Sequence, residues 1–237
     1  MPLDALTAIN KKAALRRFYA DAYLRCRAVL EKTPKNGLAV ELGAGPGLSK
    51  LFLPELLATD VSPRPGLDAV VDAHNLPYAD NSLRAVFMLN ALHHMPDPER
   101  VLSEIQRCLM PGGRALIADQ YPGFPGKLVF SFLHNEPYHP RAENWQSKAA
   151  TPMSGANGAI AHIMFVCDRE KFHALFPKLE LVSVTPHTPL LYWLSGGLKN
   201  WNLVPDALAP AAAALDRLLN GIWSGFSSFA DYELLKK

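Results

Sequence analysis

The clearest chemistry in the chain sits in Glu41 to Gly47, ELGAGPG. Gly43, Gly45 and Gly47 follow an apolar run and precede a helical pattern, so the order is strand, glycine turn, helix. Glycines let a backbone turn sharply and approach a ligand closely. The helix that follows offers unpaired N–H groups and a positive dipole end. The spacing is G-x-G-x-G, whereas dinucleotide sites use G-x-G-x-x-G. Glu41, two residues before the first glycine, disfavours a nearby pyrophosphate and suits a cationic ligand. Three further polar residues stand where apolar runs end: Asp60, Asp72 and Asn90. An acid at Asp60 can accept two bonds from ribose hydroxyls, and Asp72, followed by Ala73, can accept from an adenine amino group. Each alone also fits a turn or cap. Together they read as one crevice for an adenosine cofactor that carries positive charge.

Those residues need a sheet to hold them. Apolar periodicity predicts a first helix over Asp4 to Glu31, ended by Pro34 to Gly37. Strands are expected at Leu38–Leu42, Glu55–Thr59, Ala69–Val71, Leu83–Leu89 and Arg114–Ala118, each with a polar residue at or just after its end. Asp97 and Pro98 suit the start of a helix over Pro98 to Cys108. The span from Val61 to Asp68 carries Pro63, Pro65 and Gly66 and is too short for a usual parallel crossover. Either an extended loop replaces the crossover helix there, or the strand boundaries lie elsewhere. Strands alternating with helices indicate a mostly parallel sheet with ligands at the carboxyl ends.

After Asp119 the pattern changes. Tyr121 to Gly158 is rich in Pro, Gly, His and aromatics, with one helical stretch at Gly126 to Leu133, and reads as a lid. A capped helix at Asp168 to Phe176, a strand at Leu179 to Thr185, an apolar run at Leu190 to Leu198 and a helix at Pro205 to Leu219 follow. Phe226 to Leu235 fits a strand or a helix end.

From Leu38 to Asp119, about a third of the chain, the sequence resembles class I S-adenosylmethionine-dependent methyltransferases, of the type 11-like group. ELGAGPG, the pair Thr59–Asp60, DAHNLPYADNS (Asp72 to Ser82), NALHHMPDP (Asn90 to Pro98) and LMPGG (Leu109 to Gly113) match that family's motifs in order. Arg84 departs from it, standing where an acid is usual. The resemblance implies an α/β, Rossmann-like, doubly wound and mostly parallel sheet, with an N-terminal helix and a C-terminal lid elaboration. It implies one methyltransferase domain over 1–237, with a cofactor core at about 36–119 and acceptor elaborations at about 120–165 and 187–225. The implied cofactor is S-adenosylmethionine, leaving as S-adenosylhomocysteine, on Glu41, Gly43, Ala44, Gly45, Gly47, Asp60, Val61, Asp72, Ala73, His74 and Asn90. Methyl transfer by in-line displacement follows, with the protein supplying binding and orientation.

A base for the acceptor is sought among His94, His134 and His139. His93 and His94 follow the fourth strand; one of them is expected to pack and the other to touch the acceptor. His134, Glu136 and His139 sit together in HNEPYH, as lid contacts or acid–base groups. A metal is disfavoured there, because the spacing is not H-E-x-x-H and Pro137 interrupts a helix. The stretches SGANG (Ser154 to Gly158) and LSGG (Leu194 to Gly197) resemble bacterial methyltransferase-like sequences of cell-surface glycan or lipid pathways. The expected acceptor is therefore a small molecule or a lipid- or glycan-linked group. The aromatics of Pro189 to Trp193, with Trp201, fit an ordinary core, an apolar pocket or a peripheral membrane contact.

Composition bounds the alternatives. At 237 residues, with 49% hydrophobic and 19% charged, the chain can fill a core and is not disordered. A net charge of +2 gives no electrostatic case for nucleic acid. Cys26, Cys108 and Cys167 are far apart and odd in number, which suits buried apolar roles and a reducing, cytoplasmic setting. No run of about 18 apolar residues and no leader pattern is present. Competing readings are a non-catalytic binding subunit on the same fold, a nicotinamide enzyme, and an RNA or protein methyltransferase. The glycine spacing with Glu41 disfavours the second. NALH in place of an N-P-P-Y-like motif disfavours the third.

Overall fold

The computed structural model describes residues 4–132, 137–146 and 157–237. Two helices open the chain, α1 (Ala5–Lys11) and α2 (Ala13–Leu30). The single helix expected over Asp4 to Glu31 is thus corrected: Lys12 is extended (φ −136°, ψ 101°) and separates the two. Its buried ammonium donates to the carbonyls of Gly197 (2.9 Å) and Lys199 (2.5 Å). A buried charge needs such partners, and the break supplies them.

The central region follows as β1 (Leu38–Leu42), α3 (Ser49–Phe52), β2 (Leu57–Asp60), β3 (Ala69–Val70), β4 (Leu83–Leu89), α4 (Pro98–Cys108) and β5 (Leu109–Gln120). Next come α5 (Phe124–Phe132) and α6 (Ile160–His162), the latter running into a π turn over Ile163–Cys167. The chain closes with α7 (Arg169–Leu175), β6 (Leu179–His187), α8 (Leu191–Leu194), α9 (Ala209–Ile222) and β7 (Phe229–Lys236). The last segment is therefore a strand. β2 starts two residues later than its apolar run suggests, and β5 extends past Arg114 and Ala118 at both ends.

The strands form one sheet in the order β3-β2-β1-β4-β5-β7-β6. β7 runs antiparallel to both of its neighbours, and the other pairs are parallel. Alternate residues of each central strand face opposite cores. Val40, Leu42, Val86, Met88, Ala115 and Ile117 meet Val101, Leu102 and Ile105 of α4. Ala39, Ala85, Phe87 and Leu116 meet Leu15, Tyr23, Cys26 and Val29 of α2. The sheet is covered on both faces, so its strands read as continuous apolar runs.

No helix joins β2 to β3; an extended loop replaces it, as the prolines require. Asp68 closes that loop by accepting from Ala58 N (2.7 Å) and pairing with Lys50. The segment before β4 is fastened to α4 by Arg107, which donates to the carbonyls of Leu76 and Tyr78 and pairs with Glu104 and Asp80. Two local expectations are corrected. Asp168 does not cap α7 with its side chain; its carboxylate accepts from Trp145 Nε1 (2.7 Å) instead. Cys167 is exposed at the end of the π turn, whereas Cys26 and Cys108 are buried.

Candidate active site

Parallel order places the strand ends in one row. Along the carboxyl edge stand Asp72 just past β3, Asp60 ending β2, the loop Gly43 to Gly47 after β1, Asn90 after β4, and Asp119 near the end of β5. A cavity of about 220 Å³ opens over the middle of this row. It gathers Glu41, Gly43, Ala44, Gly45, Asn90 and His94 of the residues singled out in the sequence. Gly47, Asp60, Val61, Asp72, Ala73 and His74 are not part of its lining.

Glu41 is 2% exposed and lies on the α2 side of the sheet. Its Oε1 accepts from the Tyr23 hydroxyl at 2.9 Å, and its Oε2 has no partner within hydrogen-bond distance among the described residues. Burial pushes this carboxyl above its ordinary range, with Ser49, Tyr23 and Lys50 pulling the other way. An orphaned carboxylate oxygen facing a cavity is what a cationic amine would complete.

Asp60 holds the loop from the next strand. Its Oδ2 accepts from Gly45 N and its Oδ1 from Ser62 N, both at 3.0 Å. Each oxygen keeps a second lone pair for a diol. Asp72 Oδ1 accepts from His74 N (2.9 Å) and meets His74 Nδ1 (2.7 Å), so this exposed acid is turned onto its own loop.

Two glycines of the loop separate folding from binding. Gly47 has φ +72°, and a Cβ there would stand 2.5 Å from the Gly66 carbonyl oxygen. Gly45 has φ +55°, and a Cβ there would meet nothing within 4 Å. Gly45→Leu should therefore cost only about 1–2 kcal/mol of backbone strain. It should also weaken cofactor binding more than about tenfold by filling the ligand's space. Gly47→Ala should instead lower the melting temperature first. Paired calorimetry and thermal unfolding check both; unchanged affinity in the Gly45 variant would show that the loop does not face the cofactor.

The other wall comes from β4 and β5. Asn90 has φ +52°, a left-handed conformation uncommon outside glycine, and its N–H donates to Ala118 O (2.8 Å). The turn that follows, Leu92–His94, puts both histidine rings on the cavity, 4.0 Å apart between centroids. His93 Nδ1 is 2.5 Å from Asp119 Oδ1, and His93 N donates to Asp119 Oδ2 (3.2 Å). Gln120 N also donates to Asp119 Oδ1 (2.8 Å). His93 is 3% exposed and Asp119 is fully buried. A buried carboxylate on Nδ1 fixes the ring's orientation and tautomer.

This pair was not foreseen from the sequence, where Asp119 reads as a strand end and His94 as the acceptor-side histidine. The available signal was an acid ending the fifth strand beside a histidine following the fourth. His139, expected as a base, is exposed and absent from the cavity lining; its backbone is tied to Asn157, N–H to Oδ1 at 2.9 Å. His134 and Glu136 lie outside the described residues, as does most of SGANG.

Aromatic rings close the cavity: Tyr19 and Tyr23 from α2, Phe130 from α5, Tyr192 and Trp193 from α8, and Phe229 from β7. Phe130 meets Trp193 edge-on at 5.1 Å, and Trp193 stacks on Phe229 at 5.7 Å. Of the aromatics in the apolar run, Tyr192 and Trp193 thus belong to the pocket. Trp201 is 44% exposed, with its ring against Gly196.

Residues 40–117 match the methyltransferase domain family. A demethylmenaquinone methyltransferase of Renibacterium salmoninarum is 32% identical over 124 residues, or 49% of this chain and 52% of that protein. Methyltransferase GfsG of Streptomyces halstedii is 46% identical over 50 residues, 21% of this chain and 18% of that one. The chain thus spans about half, or less, of the length of these relatives. Among solved structures, a SAM-dependent methyltransferase of Thermotoga maritima, described as a possible histamine N-methyltransferase, superposes with a TM-score of 0.57. It is 17% identical, over 94% of this chain and 91% of that one, and so speaks for the fold. Fold and matched domain define the class: residues 40–117 match the methyltransferase domain, and the sheet that carries them has the fold of S-adenosylmethionine-dependent methyltransferases. The cofactor of that class is S-adenosylmethionine, whose cationic amino acid end suits the unpartnered Glu41 oxygen.

Proposed function

We propose that this chain transfers a methyl group from S-adenosylmethionine to a small molecule with an apolar or aromatic body, bound as a free compound or on a lipid. The reading is carried by one observation: a ring-lined cavity that places the buried His93–Asp119 pair beside the glycine loop. When bound, the cofactor supplies the electrophilic methyl group. Glu41 and the Gly43 to Gly45 backbone hold its amino acid end, and Asp60 serves its ribose. Asp72, Ala73, Val61 and His74 flank the adenine side of the row. His93 takes the proton from the acceptor's nucleophilic atom through Nε2, while Asp119 keeps Nδ1 protonated and steadies the ring as it gains charge. Tyr192, Trp193, Phe130 and Phe229 orient the acceptor and keep water out, which strengthens each of these interactions.

The relative that acts on demethylmenaquinone makes quinone-type rings the first acceptors to assay. The test has two arms. Calorimetry with S-adenosylmethionine and S-adenosylhomocysteine should show saturable binding of both; none at millimolar concentration overturns the cofactor reading. Labelled methyl transfer to hydroxylated quinones and other apolar rings should then be lost in His93→Ala. Tight cofactor binding with no transfer to any acceptor in the panel would instead favour a non-catalytic binding subunit on this fold.

A further inference from the structure

The loop after α8 is built as a flap on the cavity wall. Its neck is a backbone bond, Leu203 N to Leu194 O at 2.8 Å, so the eight residues between have their ends together, as a compact surface loop does. The stretch Leu194 to Gly197, singled out in the sequence, opens it. Ser195 is fully buried; its Oγ donates to the Tyr192 carbonyl (2.6 Å) and accepts from Gly197 N (3.2 Å). Gly197 has φ +51°, and a Cβ there would fall 2.9 Å from the Tyr192 hydroxyl oxygen. Tyr192 at the base of the flap and Leu198 within it both line the cavity. Its outer half, from Lys199 to Asn202, is exposed.

We propose that Lys12 is a positioning residue of the active site: its ammonium latches this flap shut over bound ligand, and ligand leaves where the flap lifts. Among the described residues, the polar ties between residues 4–30 and 195–199 are the two bonds that Lys12 donates to the carbonyls of Gly197 (2.9 Å) and Lys199 (2.5 Å). Lys12 is 4% exposed, and no acid among the described residues pairs with it. A buried ammonium held by neutral carbonyls keeps much of its desolvation cost. When the flap lifts, the ammonium and both carbonyls exchange these bonds for bonds to water, so the net cost of opening is small. Other ways into the cavity offer no such return. Parting Trp193 from Phe229, or Phe18 from Phe229, would expose apolar ring surface. The anchor itself is fixed. Ala13 N, next to Lys12, donates to Asp206 Oδ1 (3.0 Å), which ties the start of α2 to the chain beyond the neck. The flap therefore moves against a stationary Lys12, and lids of this kind commonly set turnover by controlling release. The part of the latch in turnover rests on the methyl-transfer reading; the flap and its tie do not.

Two measurements on the full chain test the latch: stopped-flow release of S-adenosylhomocysteine, and hydrogen exchange of the ligand-free protein. Lys12→Met removes the donor and the charge and keeps an unbranched apolar chain. It should speed release about tenfold or more. It should also speed exchange of the amides in residues 196–203, while those of β1, β4 and β5 stay protected. Lys12→Arg keeps charge and donors and should stay near the parent in both measurements. Unchanged release in Lys12→Met overturns the proposal. Faster exchange throughout the sheet also overturns it, because Lys12 would then be a general prop of the fold. If the parent binds no S-adenosylhomocysteine, the cofactor reading fails and exchange alone decides the latch: faster exchange confined to the flap upholds it, and unchanged exchange overturns it.

Discussion

Glu41→Gln should stabilise the ligand-free protein and at the same time weaken its hold on S-adenosylmethionine by about 10- to 100-fold. The two effects share one cause. Burial pushes the Glu41 carboxyl above its ordinary value of 4.5. A carboxyl raised in the folded state contributes its stability below the unfolded value and loses it as pH rises through the folded one. As pH rises past the ordinary value, the folded protein therefore loses stability through this buried acid. Glutamine keeps the acceptor for the Tyr23 hydroxyl and removes the charge. The expected gain is roughly 1–3 kcal/mol, the scale for relieving a poorly paired buried group. That corresponds to a rise of about 2–4 °C in melting temperature per kcal/mol for a chain of this size. The gain should grow from acid to neutral pH and vanish at about pH 4. The loss in affinity follows because a cationic amine can no longer make a charge-assisted bond to Oε2. Thermal unfolding across pH, with calorimetry at pH 7, checks both signs. A variant that is less stable yet binds as before would show that Glu41 is a structural acid.

The largest loss should come from Asp119. This carboxylate is fully buried and accepts from His93 N, Gln120 N and the His93 ring. Asp119→Ala leaves three groups without their partner in the interior. Breaking a buried pair from one side costs about 3–5 kcal/mol, or on the order of 10 °C in melting temperature. Asp119→Asn separates structure from chemistry. The amide oxygen can replace Oδ1 and keep the bond from Gln120 N, at the expense of the one from His93 N to Oδ2, but it cannot serve the His93 ring as a carboxylate does, and the ring loses its fixed tautomer. That variant should fold with intact cofactor affinity and turn over about 10²–10⁴ times more slowly, the range for losing a positioned base. Denaturant titration of both variants and single-turnover methyl transfer measure the two effects. Full turnover in the Asn variant would remove His93 from the reaction and leave the pair a purely structural one.

The glycine loop and the strand ends around it were legible because they are local. Glu41, the three glycines and the acid ending the next strand sit within a few residues of strand ends, and strand, turn and helix patterns are short-range properties of the chain. The extended loop between β2 and β3 was legible for the same reason, since prolines forbid the helix wherever the loop ends up. Legibility failed where a residue's local pattern was overruled by a distant partner. Periodicity ran α1 and α2 together because nothing near Lys12 announces the carbonyls of Gly197 and Lys199. Asp168 looked like a helix cap until Trp145 claimed its carboxylate.

The sequence by itself determined the sheet, its mostly parallel sense and the row of polar residues at its strand ends, all consequences of periodicity and turn chemistry. Tertiary structure alone decided the rest. His93 lies in the turn after β4 and Asp119 in β5, and only the parallel pairing of these two strands brings the residues within bonding distance. The ring-lined cavity draws Tyr19, Phe130, Trp193 and Phe229 from two helices, a short turn of helix and the last strand, over more than 200 residues. The sequence shows a helix at Pro205 to Leu219 without saying which side is inside; packing of the α9 alanines on α2 turned its leucines to solvent. A period shows that a helix has two faces, and only the neighbour it packs against determines which one is inside.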